Sequence, residues 1–288
     1  MTHLATRAAT IVVLAILGGI AIGAIVFAMR SWTLEDMHVY LEAATRLRDG
    51  EPLYSTTNPR AAYQYAPWFA AAWVPFSVLP EIVVSIGWSA ILVAASLVSV
   101  RPLLRRPGLP SLALALLMLP VLLFSSARSG NVQPILVATL VIGLERRWGP
   151  VAIAAGASLK AFPLALALVY LARGEWRQFG ATMLLTAVLV APMLLFDLSR
   201  YTVDGPREGT LYDISPILWA APVVGMVVLT VLLARQQSVH AWLAAATTVV
   251  VGMPRMLSYD ITFLLAGMAA SEPKRSRDED AAGPAAPS

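Results

Sequence analysis

Cysteine is absent from this 288-residue chain, which excludes both disulfides and thiolate metal sites. Histidine is nearly absent: His3, His38 and His240 are scattered, so the sequence offers no cluster for a metal site and no metal or cofactor is expected. His38 reads as a solvated helix residue. Charge is scarce as well, at 13% of residues, about half the usual share of a soluble domain. Lysine is reduced to Lys160 and Lys274, against 19 arginines and 17 acids. There is no glycine-rich nucleotide loop. The arginines fall in short loops, which is the pattern of topology signals and not of a nucleic-acid surface.

Hydrophobic residues make up the balance, at 58%, with a mean hydropathy of +0.71. Several apolar runs approach the length of a membrane span, and they are continuous, unlike the short alternating segments of a β-barrel. The expected fold is an all-α, polytopic helical membrane protein with roughly eight to ten membrane segments. Residues 1–270 are expected to form one integral membrane domain, followed by a disordered cytoplasmic tail over 271–288. The first run, Ala8 to Met29, reads as an uncleaved span.

After that span comes a polar stretch from Arg30 to Tyr65, dense in acids, tyrosines and prolines. Leu34, Met37, Leu41, Ala44 and Leu47 recur at helical steps, Glu42 and Arg46 share a polar face, and Gly50 ends the pattern. This predicts an amphipathic helix lying in the membrane interface. Ala66 to Pro80 is apolar but short and broken by Pro67 and Pro75; a re-entrant segment is expected there, because Ala66 to Val100 must cross only once. Two later apolar runs are interrupted, at Lys160-Ala161-Phe162-Pro163 and between Arg255 and Asp260.

Basic loops at 101–106, 146–147, 173–177 and 235, with the tail, are expected to be cytoplasmic. The loops 30–65, 125–133 and 197–215 then face outward, and Lys160 and Arg255 stand at the outward tips of two broken hairpins. Asp36, Arg128, Lys160, Arg255 and Asp260 would thus meet on one membrane face. A carboxylate among cations suits removal of a hydroxyl proton while a phosphate departs. Each residue also has a structural reading. Asp36 complements a helix start, with Glu35 its rival as base, and Lys160 can snorkel or pair. Arg128 and Arg255 can anchor segments at the interface. Asn131 and Gln133 can cap a helix or bind sugar hydroxyls. Asp260 can pair with Arg255.

The ordered series Asp36-x3-Tyr40, Gly50-x3-Tyr54 and Tyr63-x-Tyr65-x-Pro67 resembles glycosyltransferase family 87, membrane enzymes of the GT-C class that include polyprenyl-phosphate-mannose-dependent α-mannosyltransferases. The family's Gly-Gln-x-Asn element is matched by Gly130-Asn131-Val132-Gln133, with the two amides exchanged. Its lysine–proline element is matched by Lys160-Ala161-Phe162-Pro163, followed by basic Arg173-Gly174-Glu175-Trp176-Arg177. A late Ser-x-Tyr-Asp element is seen as Ser258-Tyr259-Asp260. The resemblance covers roughly residues 30 to 265.

That resemblance implies a polyprenyl-phosphate sugar as donor and a glycolipid or polysaccharide acceptor among membrane lipids, with no nucleic acid as partner. It implies Asp36 as the general base of an inverting hexosyl transfer, with Lys160, Arg128 and Arg255 holding the phosphate. Asn131, Gln133, Tyr40, Tyr65 and Asp260 complete the expected substrate-binding set. The site is expected to face away from the cytoplasm in the cell membrane. Two other readings stand beside it: a transporter or flippase of lipid-linked sugars, built on broken helices, and an inactive partner of another membrane glycosyltransferase.

Overall fold

In the computed structural model, residues 32–55, 62–105, 108–201 and 210–271 are described, with eight scattered positions between 12 and 30. The expected first span is therefore seen only at those scattered positions. Asp204, Glu208 and the tail beyond Ser271 lie outside the described residues. Among the described residues there is no strand, and the chain is an all-α membrane protein.

The chain order is α1 (Glu35–Asp49), α2 (Pro67–Trp73), α3 (Glu81–Arg105), α4 (Leu109–Pro120), α5 (Gln133–Gly143) and α6 (Gly149–Leu159). It continues through α7 (Ala167–Arg173), α8 (Trp176–Val190), the short α9 (Leu211–Ile214), α10 (Pro216–Arg235), α11 (Ala241–Gly252) and α12 (Leu264–Ala270). A π-helical turn, Val121–Ser126, and a 3-10 turn, Ala127–Ser129, prolong α4. Further 3-10 turns run over Phe162–Leu166, Ala191–Leu195 and Ser258–Phe263.

Among the described residues, four helices are long and apolar enough to span a bilayer: Glu81–Arg105, Leu109–Ser129, Trp176–Leu195 and Pro216–Arg235. Their flanks carry exposed Ile82 and Ile86, Leu184 and Val188, and Ile217, Val224 and Val228. In water such a surface would associate; in lipid it is the matching solvent. Four shorter apolar helices, Gln133–Gly143, Gly149–Leu159, Phe162–Arg173 and Ala241–Gly252, pack inside. Their shared core includes Leu140, Ile153, Leu166, Trp242 and Phe263. Close approach is built in where α12 meets α11: a Cβ on Gly267 would stand 2.7 Å from both Ala246 Cβ and the Trp242 carbonyl oxygen.

Both interruptions expected from sequence are present. After Leu159 the helix opens at Lys160, whose backbone is extended, and resumes at Phe162. After Gly252 the chain is non-helical until Ser258. The 11 residues of α6 rise about 16 Å, roughly half the ~30 Å hydrocarbon core, so its broken end stops well short of a full crossing.

Connections between the packed helices sort the loops to two ends of the bundle. One end carries α1, the 125–133 loop, Lys160 and the 253–260 break. The other carries Arg101, Arg105, Arg146, Arg147, Arg173, Arg177 and Arg235. The apolar stretch 66–80 does not cross by itself: seven-residue α2 is only about 10 Å long and packs against α1.

The amphipathic helix is found at Glu35–Asp49, ended by Gly50 with φ +74°, and its Glu42–Arg46 pair forms. Its buried stripe, though, is Met37, Tyr40, Ala43 and Ala44, while Leu41 and Leu47 are only partly buried. The helix turns Tyr40 toward its own chain. Tyr40 packs edge-on against Tyr65 and Phe69 and touches Trp73 and Trp88, with ring centroids 4.9 to 6.3 Å apart. Aromatic contacts of this kind add about 0.5–1.5 kcal/mol each beyond area burial. They fix α1 on α2 more specifically than an interfacial lipid layer could.

Candidate active site

The site begins where α1 docks on the 125–133 loop. Backbone N–H groups of Thr33 and Leu34 both donate to the Arg128 carbonyl, at 3.1 and 3.0 Å. Gly130 adopts φ +79°, and a Cβ there would sit 3.0 Å from both the Met37 backbone nitrogen and the Met37 Cβ. Glycine is thus required twice, for its backbone angle and for its closeness to α1. Trp88 Nε1 donates to the Gly130 carbonyl at 2.8 Å, which sets the loop about two turns into α3. Leu34, at the entry to α1, is itself left-handed with φ 52°. That conformation costs on the order of 1 kcal/mol and is held by the paired bonds to Arg128.

This docking puts Asp36 against the loop. Its Oδ2 accepts from Asn131 Nδ2 at 2.9 Å and Ser129 Oγ at 3.0 Å. Burial pushes the Asp36 carboxyl above its ordinary range; the Asn131 and Ser129 bonds and the Lys160 charge pull the other way without cancelling it. Glu35, the rival base, is exposed on the neighbouring face.

Asn131 is buried and bifunctional: while its amide N–H donates to Asp36, its Oδ1 accepts from the Gln133 backbone N–H at 2.9 Å. Gln133 is fully buried at the start of α5, and its Nε2 reaches Thr262 Oγ1 at 3.4 Å. Lys160 Nζ donates to Asp260 Oδ1 at 3.1 Å and lies 4.4 Å from the centre of the Tyr259 ring. Asp260 is 3% exposed and also accepts from the Leu257 backbone N–H at 2.9 Å. Both helix breaks therefore supply one half of a buried ion pair. Asp260 pairs here with Lys160, while the sequence alone offers Arg255 as its structural partner.

Tyr65 stands between the two clusters. Its hydroxyl accepts from Tyr40 at 3.2 Å, and its pKa is pushed up by burial and then by the Asp36 charge, against the pull of Lys160. Tyr40 is wholly enclosed, and its hydroxyl accepts from the Val132 backbone N–H at 3.3 Å. Its contribution is to hold the 125–133 loop. Arg128 lays its guanidinium over the Phe124 ring at 5.2 Å. Arg255 is half-buried in the same break as Asp260.

The tyrosine-rich motif is the frame around this site. Tyr54 donates to the Tyr65 carbonyl, Tyr63 donates to the Ala66 carbonyl, and Tyr54 packs on Phe196 and Tyr201. Sequence reasoning missed Ser129 and the Trp88 bond to Gly130. Ser129 and Asp36 are 93 residues apart, and nothing local marks either as a partner.

A recessed carboxylate at one end of a helical membrane bundle, beside a lysine held at a helix break, defines a polytopic membrane protein with an acid–cation centre. Residues 63–203 match the family model for Glycosyltransferase family 87, and that match points to a membrane glycosyltransferase acting on a sugar donor and an acceptor. Comparison with curated proteins and with solved structures gives no match.

Proposed function

We propose that this chain transfers a hexose, with mannose the expected sugar, from a polyprenyl-phosphate donor to a hydroxyl of a lipid or glycan acceptor. Asp36 removes the acceptor proton as the acceptor oxygen forms its bond to the anomeric carbon. The bond from that carbon to the phosphate oxygen breaks, and its electron pair leaves with the polyprenyl phosphate. Attack opposite the leaving group inverts the centre, so a β-linked donor gives an α-linked product. Lys160 offsets charge gathering on the phosphate, with Arg128 and Arg255 on the loops around it.

The observation that carries this reading is the state of Asp36. Its carboxylate is held in orientation by Ser129 and Asn131, is largely withdrawn from water, and is pushed toward stronger basicity. Those properties suit a general base working near neutral pH. Exposed Leu194, Leu195 and Ile217, close to the same end of the bundle, offer apolar surface to a prenyl chain.

Asp36→Asn tests the chemistry. The amide keeps the size and most hydrogen bonding but cannot take a proton. Product formation is expected to fall roughly a hundred- to ten-thousand-fold while donor binding persists; Glu35→Gln is expected to cost far less. Wild-type-like transfer by Asp36→Asn, measured as glycolipid formation in nanodiscs, would remove the proposed base. Orientation is tested in the cysteine-free background: Ser55→Cys is expected to label from outside the cell and Arg147→Cys only from the cytoplasm.

A further inference from the structure

At the opposite end of the bundle lies a cavity of about 490 Å³ that the proposed transfer does not use. Its floor is aromatic. Trp242 packs edge-on against Tyr170 at 5.3 Å, and the Arg173 guanidinium lies 5.7 Å from the centre of the Trp242 ring. Arg173 is fixed there by donating to the Ser238 carbonyl at 3.2 Å, and its Nε is buried with no protein partner among the described residues. Arg146 and Arg147 enter from the loop between α5 and α6, and Arg177 from the first turn of α8.

Four arginines thus face the cavity against two acids, Glu145 and Glu175. The positive end of the α8 dipole adds to them, because Arg177 and Gln178 occupy its first turn. The nearby negative end of α7 is muted: its carbonyls at Tyr170 and Leu171 accept from the Glu175 and Gly174 N–H groups. Beside the opening, Trp176 is 66% exposed and leads onto the apolar flank of α8 at Leu184 and Val188. A cationic pocket next to an interfacial tryptophan and an apolar helix face is the arrangement that takes an anionic headgroup with its acyl chains along the helix.

We infer that this cavity is a binding site for a phosphate anion, supplied by the headgroup of an anionic phospholipid. Arginine forks suit phosphate oxygens, and the fixed Arg173 needs little ordering to receive them. The site is separate from the acid–cation centre, and its occupancy does not depend on the transfer reaction.

The test is native mass spectrometry of the detergent-purified chain, wild type against Arg147→Gln/Arg177→Gln, titrated with phosphatidylglycerol, phosphatidylcholine or inorganic phosphate. Both substituted side chains are exposed, so folding is expected to survive, and circular dichroism checks it. Wild type is expected to retain phosphatidylglycerol in preference to phosphatidylcholine, and the double variant to bind it roughly thirtyfold more weakly. Competition by inorganic phosphate at similar concentration, lost in the same variant, would support the anion site and assign it to a free ligand. Equal retention of the two lipids, or equal binding by wild type and variant, would overturn the inference. Should the double variant misfold, Arg177→Lys, which keeps charge but not the fork, is expected to weaken phosphatidylglycerol binding by a smaller factor; no change there would also count against the site.

Discussion

The two ends of this bundle use charge in opposite ways. At the Asp36 end, side chains from elements far apart in sequence are tied to one another: Asp36 to Ser129 and Asn131, and Lys160 to Asp260. At the arginine end, cations gather around an open cavity, and the firmly placed one, Arg173, rests on an aromatic ring and a backbone carbonyl. A connected network keeps Asp36 at a fixed position, which the proposed general-base role needs. A ring of exposed cations attracts an anion and fixes topology without demanding one geometry. The difference follows from burial: a charge withdrawn from water must find a partner in the protein, and an exposed one need not.

The strongest way to break that contrast is to cut the buried pair. Lys160→Ala leaves Asp260 buried and unpaired, which costs about 3–5 kcal/mol, and it is expected to abolish transfer. Removing both partners with Lys160→Ala/Asp260→Ala is expected to restore much of the stability and none of the activity. Thermal unfolding beside glycolipid assay separates the two roles. Recovery of transfer in the double variant would reduce Lys160 to a structural partner.

Next in size is Gly130→Ala. The added Cβ meets the Met37 backbone and takes on a left-handed angle, for a cost of about 1–2 kcal/mol or more. Because the strain falls between the loop and α1, transfer is expected to drop further than stability does. A variant as active as wild type would show that α1 tolerates displacement from the loop.

The smallest expected effect is on pH dependence. As the proposed base, Asp36 would have to be ionised, so activity is expected to rise with pH through its pKa, which burial holds above the ordinary carboxylate range. The Asn131 bond lowers that pKa, so Asn131→Ala is expected to move the acidic limb to higher pH. The kcat/KM profile checks the direction. A limb that stays in place would separate the titrating group from Asp36.

Much of the fold was legible because membrane helices write themselves locally. Continuous apolar runs marked the chain as a helical membrane protein, and arginine-bearing loops sorted the two ends. Lys160 in the middle of an apolar run marked a break, since an intramembrane charge needs a special environment. Less legible was the face of α1. Leu41 and Leu47 satisfy an apolar stripe as well as Tyr40 does, and only contact with Tyr65, Phe69 and Trp73 selects the tyrosine. Ser129 was invisible for a related reason: a small polar residue gains meaning only from what is folded against it.

The sequence by itself determined that this chain lives in a membrane, that its helices break at Lys160 and before Asp260, and that an acid-bearing helix precedes the bundle. These depend on hydropathy and backbone chemistry, which act over a few turns. The tertiary structure alone decided that Asp36 meets Ser129 and Asn131 and that Lys160 meets Asp260. Those pairs are separated by about a hundred residues in sequence. Their contact exists because short inner helices end part-way through the bundle, where an unpaired charge is too costly to keep.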